Sequence, residues 1–260
     1  MLYVYGRNAV REALRAGQEI GKLYVAAGAQ PTGALGDILE AARRQGIPLA
    51  TVSGATLDRL AGGANHQGVV AAAAEFRYVA WEDLLARAAL VGEPALLLVL
   101  DHLTDPQNFG TLLRTAEAVG VHGIIIPRER AVGITPAVVK ASAGAVAHLP
   151  IAQVVNLPRT LDALKKQGVW VIGLDAGGPQ MYDEVDYNIP LALVVGSEDR
   201  GLSRLVREKC DLLVKLPMRG KVESLNAAVA GSIVLYEIWR YRRAASAGCR
   251  SSKSRHKDQS

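Results

Sequence analysis

The regular alternation of short apolar runs with stretches of helical periodicity restricts this chain more than any other feature. The runs ALLLVL (95–100), GIII (123–126), VWVIGL (169–174), LALVVG (191–196) and LLVKL (212–216) are short and almost wholly apolar, as strands covered on both faces are. Between and after them, residues 108–120, 135–142, 157–167, 203–210 and 224–243 place apolar residues at helical spacing. Strands alternating with helices imply a largely parallel sheet with helices on both faces.

The N-terminal part repeats the alternation on a smaller scale. GRNAVREALRAG brings Ala9, Val10, Ala13 and Leu14 onto one helical face and closes on Gly17. KLYVAAG, IPLATV and GVVAAAA read as strands, and ALGDILEAARRQG and GATLDRLAGG as helices. This is a compact α/β module, too small for a dinucleotide fold. The expected division is therefore a first domain over 1–77, a connector with one short helix over 78–93, and a parallel-sheet α/β domain over 94–243. A small, polar, basic tail over 244–260 is expected to be disordered.

Composition narrows the function. Half of the 260 residues are apolar but only 5% are aromatic, so Ala, Val and Leu build the core. No apolar run reaches the ~20 residues of a membrane helix, so a soluble protein with no membrane partner is expected. MLYVYGRNAVREAL lacks the pattern of a secretory signal, and Cys210 and Cys249 make neither a disulfide framework nor a ligand spacing. A cytoplasmic location follows as the expectation. The five histidines are scattered, and no metal site is expected. From Arg240 to Ser260, seven Lys or Arg face one acid, Asp258, although the whole chain is only +5. The body is thus close to neutral, and phosphate attraction must come from the tail or from local patches.

Three separated segments carry the chemistry. In the first, Asp105-Pro106 breaks the chain after a strand, and Asn108 suits an N-cap for a helix buried through Leu112, Leu113, Ala116 and Val119. Arg114 lies among these apolar positions, where it is either a functional guanidinium or a snorkelling surface arginine. In the second, LALVVG runs into Ser197-Glu198-Asp199-Arg200-Gly201. Two glycines permit close backbone approach to a ligand, and Glu198 is either functional or part of a solvated turn. In the third, LPMRGK leads to Ser224-Leu225-Asn226. Ser224 suits an N-cap, and Leu225, Ala228, Val229, Ser232, Leu235, Ile238 and Trp239 form the expected buried face of the helix. Neither GxGxxG nor GxxxxGK[ST] occurs, which disfavours the usual phosphate loops. In the first module, GANHQG (63–68) is either a loop presenting His66 and Gln67 or a plain turn.

Asn-x-Gly-x-x-x-Arg-x-Ala, then Gly-x-Glu-x-x-Gly after an apolar strand, then Pro-Met-x-Gly with Ser-Leu-Asn resemble the three motifs of the SpoU/TrmH family. Its members are RNA ribose 2′-O-methyltransferases that use S-adenosylmethionine. The resemblance covers 95–243, and YGRNAV with HQG resembles the RNA-recruiting domain of the branch that methylates a guanosine in 23S ribosomal RNA. It implies a trefoil knot in the C-terminal domain and a homodimer in which each cofactor site is completed by the partner's residues. Many members have Gly directly after the motif glutamate, where this chain has Asp199.

The resemblance also implies roles. Arg114 is the activator of the acceptor hydroxyl or a clamp on a flanking phosphate, Glu198 orients it or the ribose, and Asn108, Ser224 and Asn226 hold RNA and loop. Val195, Gly196, Gly201, Leu216, Met218 and Leu225 cradle the cofactor. Arg7, Asn8, His66 and Gln67 are the expected RNA contacts. The substrate is ribosomal RNA, free or in a ribosomal precursor. Methylation of another rRNA or tRNA site, and a non-catalytic role in ribosome assembly, are the competing readings.

Overall fold

The computed structural model describes residues 1–222 and 224–254. In chain order its elements are β1 (Leu2–Tyr5), α1 (Arg7–Arg15), β2 (Ile20–Ala26), α2 (Ala34–Arg44), β3 (Leu49–Val52), α3 (Gly54–Leu60), β4 (Val69–Ala73) and α4 (Trp81–Val91). Then follow β5 (Leu96–Asp101), α5 (Pro106–Ala118), β6 (Gly123–Pro127), α6 (Pro136–Ala141), a 3-10 turn (Ala145–His148), β7 (Ile151–Val154) and α7 (Leu157–Lys166). The last are β8 (Trp170–Leu174), β9 (Gln180–Met181), β10 (Leu191–Gly196), α8 (Arg204–Lys209), β11 (Leu212–Lys215) and α9 (Ala227–Ser254).

Two compact units form, and they do not follow a simple cut along the chain. The first contains Met1–Tyr78 together with Asp105–Glu117 and Val132–Leu149; the second contains Val79–Thr104, Ala118–Ala131 and the chain from Pro150. The segments of the two units thus alternate along the chain after Tyr78. Small residues explain why the later segments join the first unit. A β-carbon on Gly110 would lie 2.3 Å from Ala141 Cβ, so α5 and α6 touch almost backbone to backbone. Gly144, at φ +91, brings the turn after α6 against Glu12 of α1, where a β-carbon would lie 2.5 Å from Glu12 Cβ. His148 Nε2 also reaches Glu12 at 3.2 Å.

In the first unit the strand order is β1-β4-β2-β3. Buried β4 pairs antiparallel with β1 and β2, and β2 pairs parallel with β3. The Ala9, Val10, Ala13 and Leu14 face of α1 is buried as its spacing predicts. Strand β1 was not anticipated: four residues have no legible period until β4 lies beside them.

The second unit holds a seven-stranded sheet in the order β7-β6-β5-β10-β8-β11-β9, parallel in every pairing. Its centre is fully buried, with Leu96–Asp101 matched residue by residue to Leu191–Gly196. Strands β7 and β9 are additions to the sequence-based expectation. Arg242 of α9 closes the opposite edge, donating to the carbonyls of Pro94, Ala95, Tyr187 and Ile189 at 2.6 to 3.1 Å. Burial pushes its guanidinium down to about 10. His122 accepts the Leu96 N–H on Nδ1, and burial lowers its pKa.

Helix α9 departs from expectation at both ends. It begins at Ala227, and its cap is Asn226, whose Oδ1 accepts from the N–H groups of Ala228 and Val229 at 2.9 and 3.2 Å. Ser224 is therefore not the cap; the amide two residues on takes the free donors of the first turn. The buried side is Ala228, Val234, Leu235 and Ile238, while Leu225, Val229 and Trp239 are exposed. The helix also continues through Ser254 instead of ending at Arg243. Ala244 and Ala245 are strong helix formers, and the Arg243 guanidinium stacks 4.6 Å from the Trp239 ring. The rest of the expected tail, 255–260, lies outside the described residues.

Candidate active site

The C-terminal edge of the parallel sheet opens on a cavity of about 320 Å³, within the range of small-molecule sites. Three segments build it. The end of β8 contributes Leu174, Asp175 and Ala176; the end of β10 and its loop contribute Val195 to Gly201; the stretch before and into α9 contributes Leu216, Met218, Ser224 and Leu225. All six residues expected to cradle a cofactor (Val195, Gly196, Gly201, Leu216, Met218 and Leu225) thus line one space, with Glu198 and Ser224 beside them.

Local backbone chemistry shapes this rim. The loop after β10 closes on itself, Ser197 N–H donating to Gly201 O at 3.1 Å and Gly201 N–H donating to Ser197 O at 2.9 Å. A β-carbon on Gly196 would meet the Gly201 carbonyl carbon at 2.1 Å, so only glycine fits there. Gly201 has φ +62, again a glycine conformation. Asp199 is not among the residues with positive φ, so the loop needs no glycine after Glu198.

The donor set suits S-adenosylmethionine. Met218 and Leu225 are 39% and 40% exposed, an apolar surface fit for an adenine face. The strand-end backbone at 195–201 and the Asp175 and Glu198 carboxylates offer polar partners to the ribose and the amino-acid end. Asp175 was missed from sequence; its signal was a strand ending in Asp-Ala-Gly-Gly. Its carboxylate accepts from Gly177 N–H at 2.8 Å and pairs with Arg207 at 3.3 Å.

Asn108 and Arg114 lie on α5, in the first unit. The cap of α5 is Asp105, whose oxygens accept from Gln107 N–H and Asn108 N–H at 3.2 and 3.0 Å. Asn108 is thereby a first-turn residue and not the expected cap: Pro106 begins the helix, as its fixed φ favours. Arg114 is exposed on the face opposite Leu112, Leu113 and Ala116.

The first module's expected RNA contacts also come together. Arg7 N–H donates to Gln67 Oε1 at 2.9 Å, and Arg7 Nε donates to Gln67 O at 3.2 Å. Gln67 holds φ +53, an uncommon state for a side chain of its size. Asn8 is exposed beside them. His66 is half-buried and works inside the loop, with Nδ1 accepting from Gly68 N–H at 3.0 Å and Nε2 3.2 Å from Asp58. Sequence reasoning missed Lys140, whose Nζ donates to Asn65 O at 3.0 Å and lies 5.2 Å from the Tyr5 ring centre. Nothing in the spacing linked α6 to that loop.

Among the described residues, no group of three or more His, Cys, Asp or Glu could hold a metal, and no helix is long and apolar enough to cross a membrane. Residues 95–236 match the model of the SpoU rRNA methylase family, and residues 3–79 match RNA 2′-O ribose methyltransferase substrate binding. A Bacillus subtilis protein named as a TrmH family tRNA/rRNA methyltransferase is 48% identical over 92% of this chain and 96% of its own. Among solved structures, the SpoU methyltransferase AviRb from Streptomyces viridochromogenes, in complex with the cofactor AdoMet, is similar. Its TM-score is 0.77 at 26% identity, over 93% of this chain and 90% of that one. An AdoMet-bound rRNA methyltransferase from Sinorhizobium meliloti gives 0.75 at 28% identity, over 92% and 87%. With its glycine-bound cavity, its three motifs and matches running almost end to end, the chain belongs to the SpoU family of S-adenosylmethionine-dependent RNA 2′-O-methyltransferases, whose fold carries the trefoil knot.

Proposed function

We propose that the protein methylates the ribose 2′-hydroxyl of a guanosine in 23S ribosomal RNA, in the cytoplasm, on free RNA or a ribosomal precursor. One observation carries this reading: a substrate-binding module at residues 3–79 accompanies a cavity lined by all six expected cofactor residues. The similarity to an rRNA methyltransferase spans both modules and supports ribosomal RNA as the substrate class.

When bound, S-adenosylmethionine supplies a methyl group already activated by its sulfonium. The protein's work is therefore to orient the acceptor and handle charge. Leu216, Met218 and Leu225 offer the apolar wall, and backbone groups at Val195, Gly196 and Gly201 the hydrogen bonds. Asn226 caps α9 and so fixes Ser224 and Leu225 at the rim. Arg114 keeps its proton, as guanidinium does, and stabilises negative charge developing on the 2′-oxygen while holding a flanking phosphate. Glu198 orients the ribose or an arginine, and Asn108 holds RNA. Arg7, Asn8 and Gln67 contact structured RNA, with His66 shaping their loop.

A homodimer completes the reading. On α9, Val229, Ile233, Tyr236 and Trp239 are 46%, 38%, 50% and 37% exposed, at spacings that put them along one face. A second copy covering that face would remove an apolar stripe from water. The test is methyl transfer from labelled S-adenosylmethionine to total RNA, followed by mapping of the protected ribose. A single 2′-O-methylguanosine in 23S rRNA is expected. Label in tRNA or at another rRNA site overturns the substrate, and no label in any RNA points to a non-catalytic assembly role.

A further inference from the structure

The last residue of β5, Asp101, is 1% exposed, and each of its oxygens has a partner. Oδ2 accepts from Ser203 N–H at 2.6 Å, and Oδ1 lies 2.6 Å from His102 Nδ1. A carboxylate accepts, so an Nδ1–H donating to Asp101 would leave Nε2 as the acceptor nitrogen of the ring. The His102 side chain is 37% exposed, and among the described residues Nε2 has no hydrogen-bond partner.

The backbone holds this pair under strain. His102 has φ +58, the left-handed region that glycine enters freely and a β-carbon disfavours. Such outliers gather where a side chain has a task. The position fits one. Asp101 is the register partner of Gly196, so His102 stands one step past the sheet's C-terminal edge, beside the strand whose following loop lines the cavity. The bond from Asp101 to Ser203 fastens that edge to the far end of the same loop.

We propose that His102 is the proton acceptor in methyl transfer, with Asp101 holding its tautomer and balancing its charge. The inference rests on the assignment of RNA 2′-O-methylation to this chain. In the step, the 2′-oxygen bonds to the methyl carbon, and the carbon–sulfur bond breaks with its electron pair left on sulfur. The hydroxyl hydrogen leaves as a proton to Nε2, and the imidazolium then passes it to water. Other groups are less suited. Arginine does not take up a proton, and Asp175 is engaged by Gly177 and Arg207. Imidazole is the side chain that accepts and releases protons most readily near neutrality.

His102→Gly in the full chain deletes the imidazole and relieves the strain together. Single-turnover transfer to RNA should fall about 10²–10⁴-fold, the usual contribution of a general base. Calorimetric affinities for S-adenosylmethionine and RNA should stay within about twofold, and the thermal midpoint should not fall. Added imidazole should restore part of the rate in this variant and leave wild type unchanged. A variant at wild-type rate overturns the proposal, as does a loss confined to RNA affinity or a slow variant indifferent to imidazole. Wild type that methylates no RNA overturns the assigned reaction as well, whereas an active wild type with an equally active His102→Gly overturns only the role of His102.

Discussion

The two sheets of this protein are built from the same alternation of strand and helix, yet they expose different things. In the seven-stranded sheet, β5, β6 and β10 are buried along their whole length, and polar chemistry is confined to the C-terminal edge. In the four-stranded sheet, β3 alternates between exposed and half-buried residues and β2 is open over much of its length. Around that sheet, cations such as Arg7 and Lys140 are held on loop carbonyls instead of on carboxylates. A sheet covered on both faces offers only its edge to a ligand, which favours one enclosed site. A half-open sheet offers a surface, which suits the gripping of a large charged partner.

The sharpest way to break that contrast is Arg114→Ala. Arg114 belongs to a methylase motif by sequence but packs with the first unit. If it carries the proposed charge-stabilising role, its loss should slow transfer by about 10³-fold, with cofactor affinity near wild type by calorimetry. A variant that methylates at a near-normal rate would move Arg114 from chemistry to surface. Next comes Arg242→Ala, which removes a buried donor from the carbonyls of Pro94, Tyr187 and Ile189 and leaves Ala95 only its bond from Leu191. Urea unfolding should show a loss of about 3 kcal/mol. Gly196→Ala attacks the edge that carries the cavity. Its β-carbon has no room against Gly201, and a stability loss of about 2 kcal/mol with weakened cofactor binding is expected. The mildest test concerns the gripping surface. Lys140→Ala should weaken RNA binding severalfold and reduce the salt slope of log affinity by about 1, with cofactor affinity unchanged.

The legible features were local ones. The buried strands expected at 95–100 and 191–196 announce themselves by composition, and Gly196 and Gly201 stand where a strand must turn sharply. Caps were read less well. Asn108 and Ser224 both looked like caps, whereas Asp105 and Asn226 hold that role, because any short polar residue near a helix start suits the position and only geometry chooses among them. The stripe on α9 misled for a similar reason: Val229 and Trp239 fit an apolar period, but the helix has apolar residues on two faces and the sheet covers one. Lys140, Asp175 and the Asp101–His102 pair were not visible, since their partners lie far away in sequence or in an unexpected backbone state.

Periodicity and composition thus suffice to specify a parallel α/β protein with glycine-marked strand ends, because side-chain spacing along a strand or helix is a local property of the backbone. They do not assign α5 and α6 to a unit, gather Leu174 to Ala176 with Met218 and Leu225, or bury the Asp101 carboxylate against Ser203. Those arrangements follow from long-range packing. They arise where glycine lets backbones meet, as at Gly110, Gly144 and Gly196, and where a buried polar group must find its partner among residues that folding brings near.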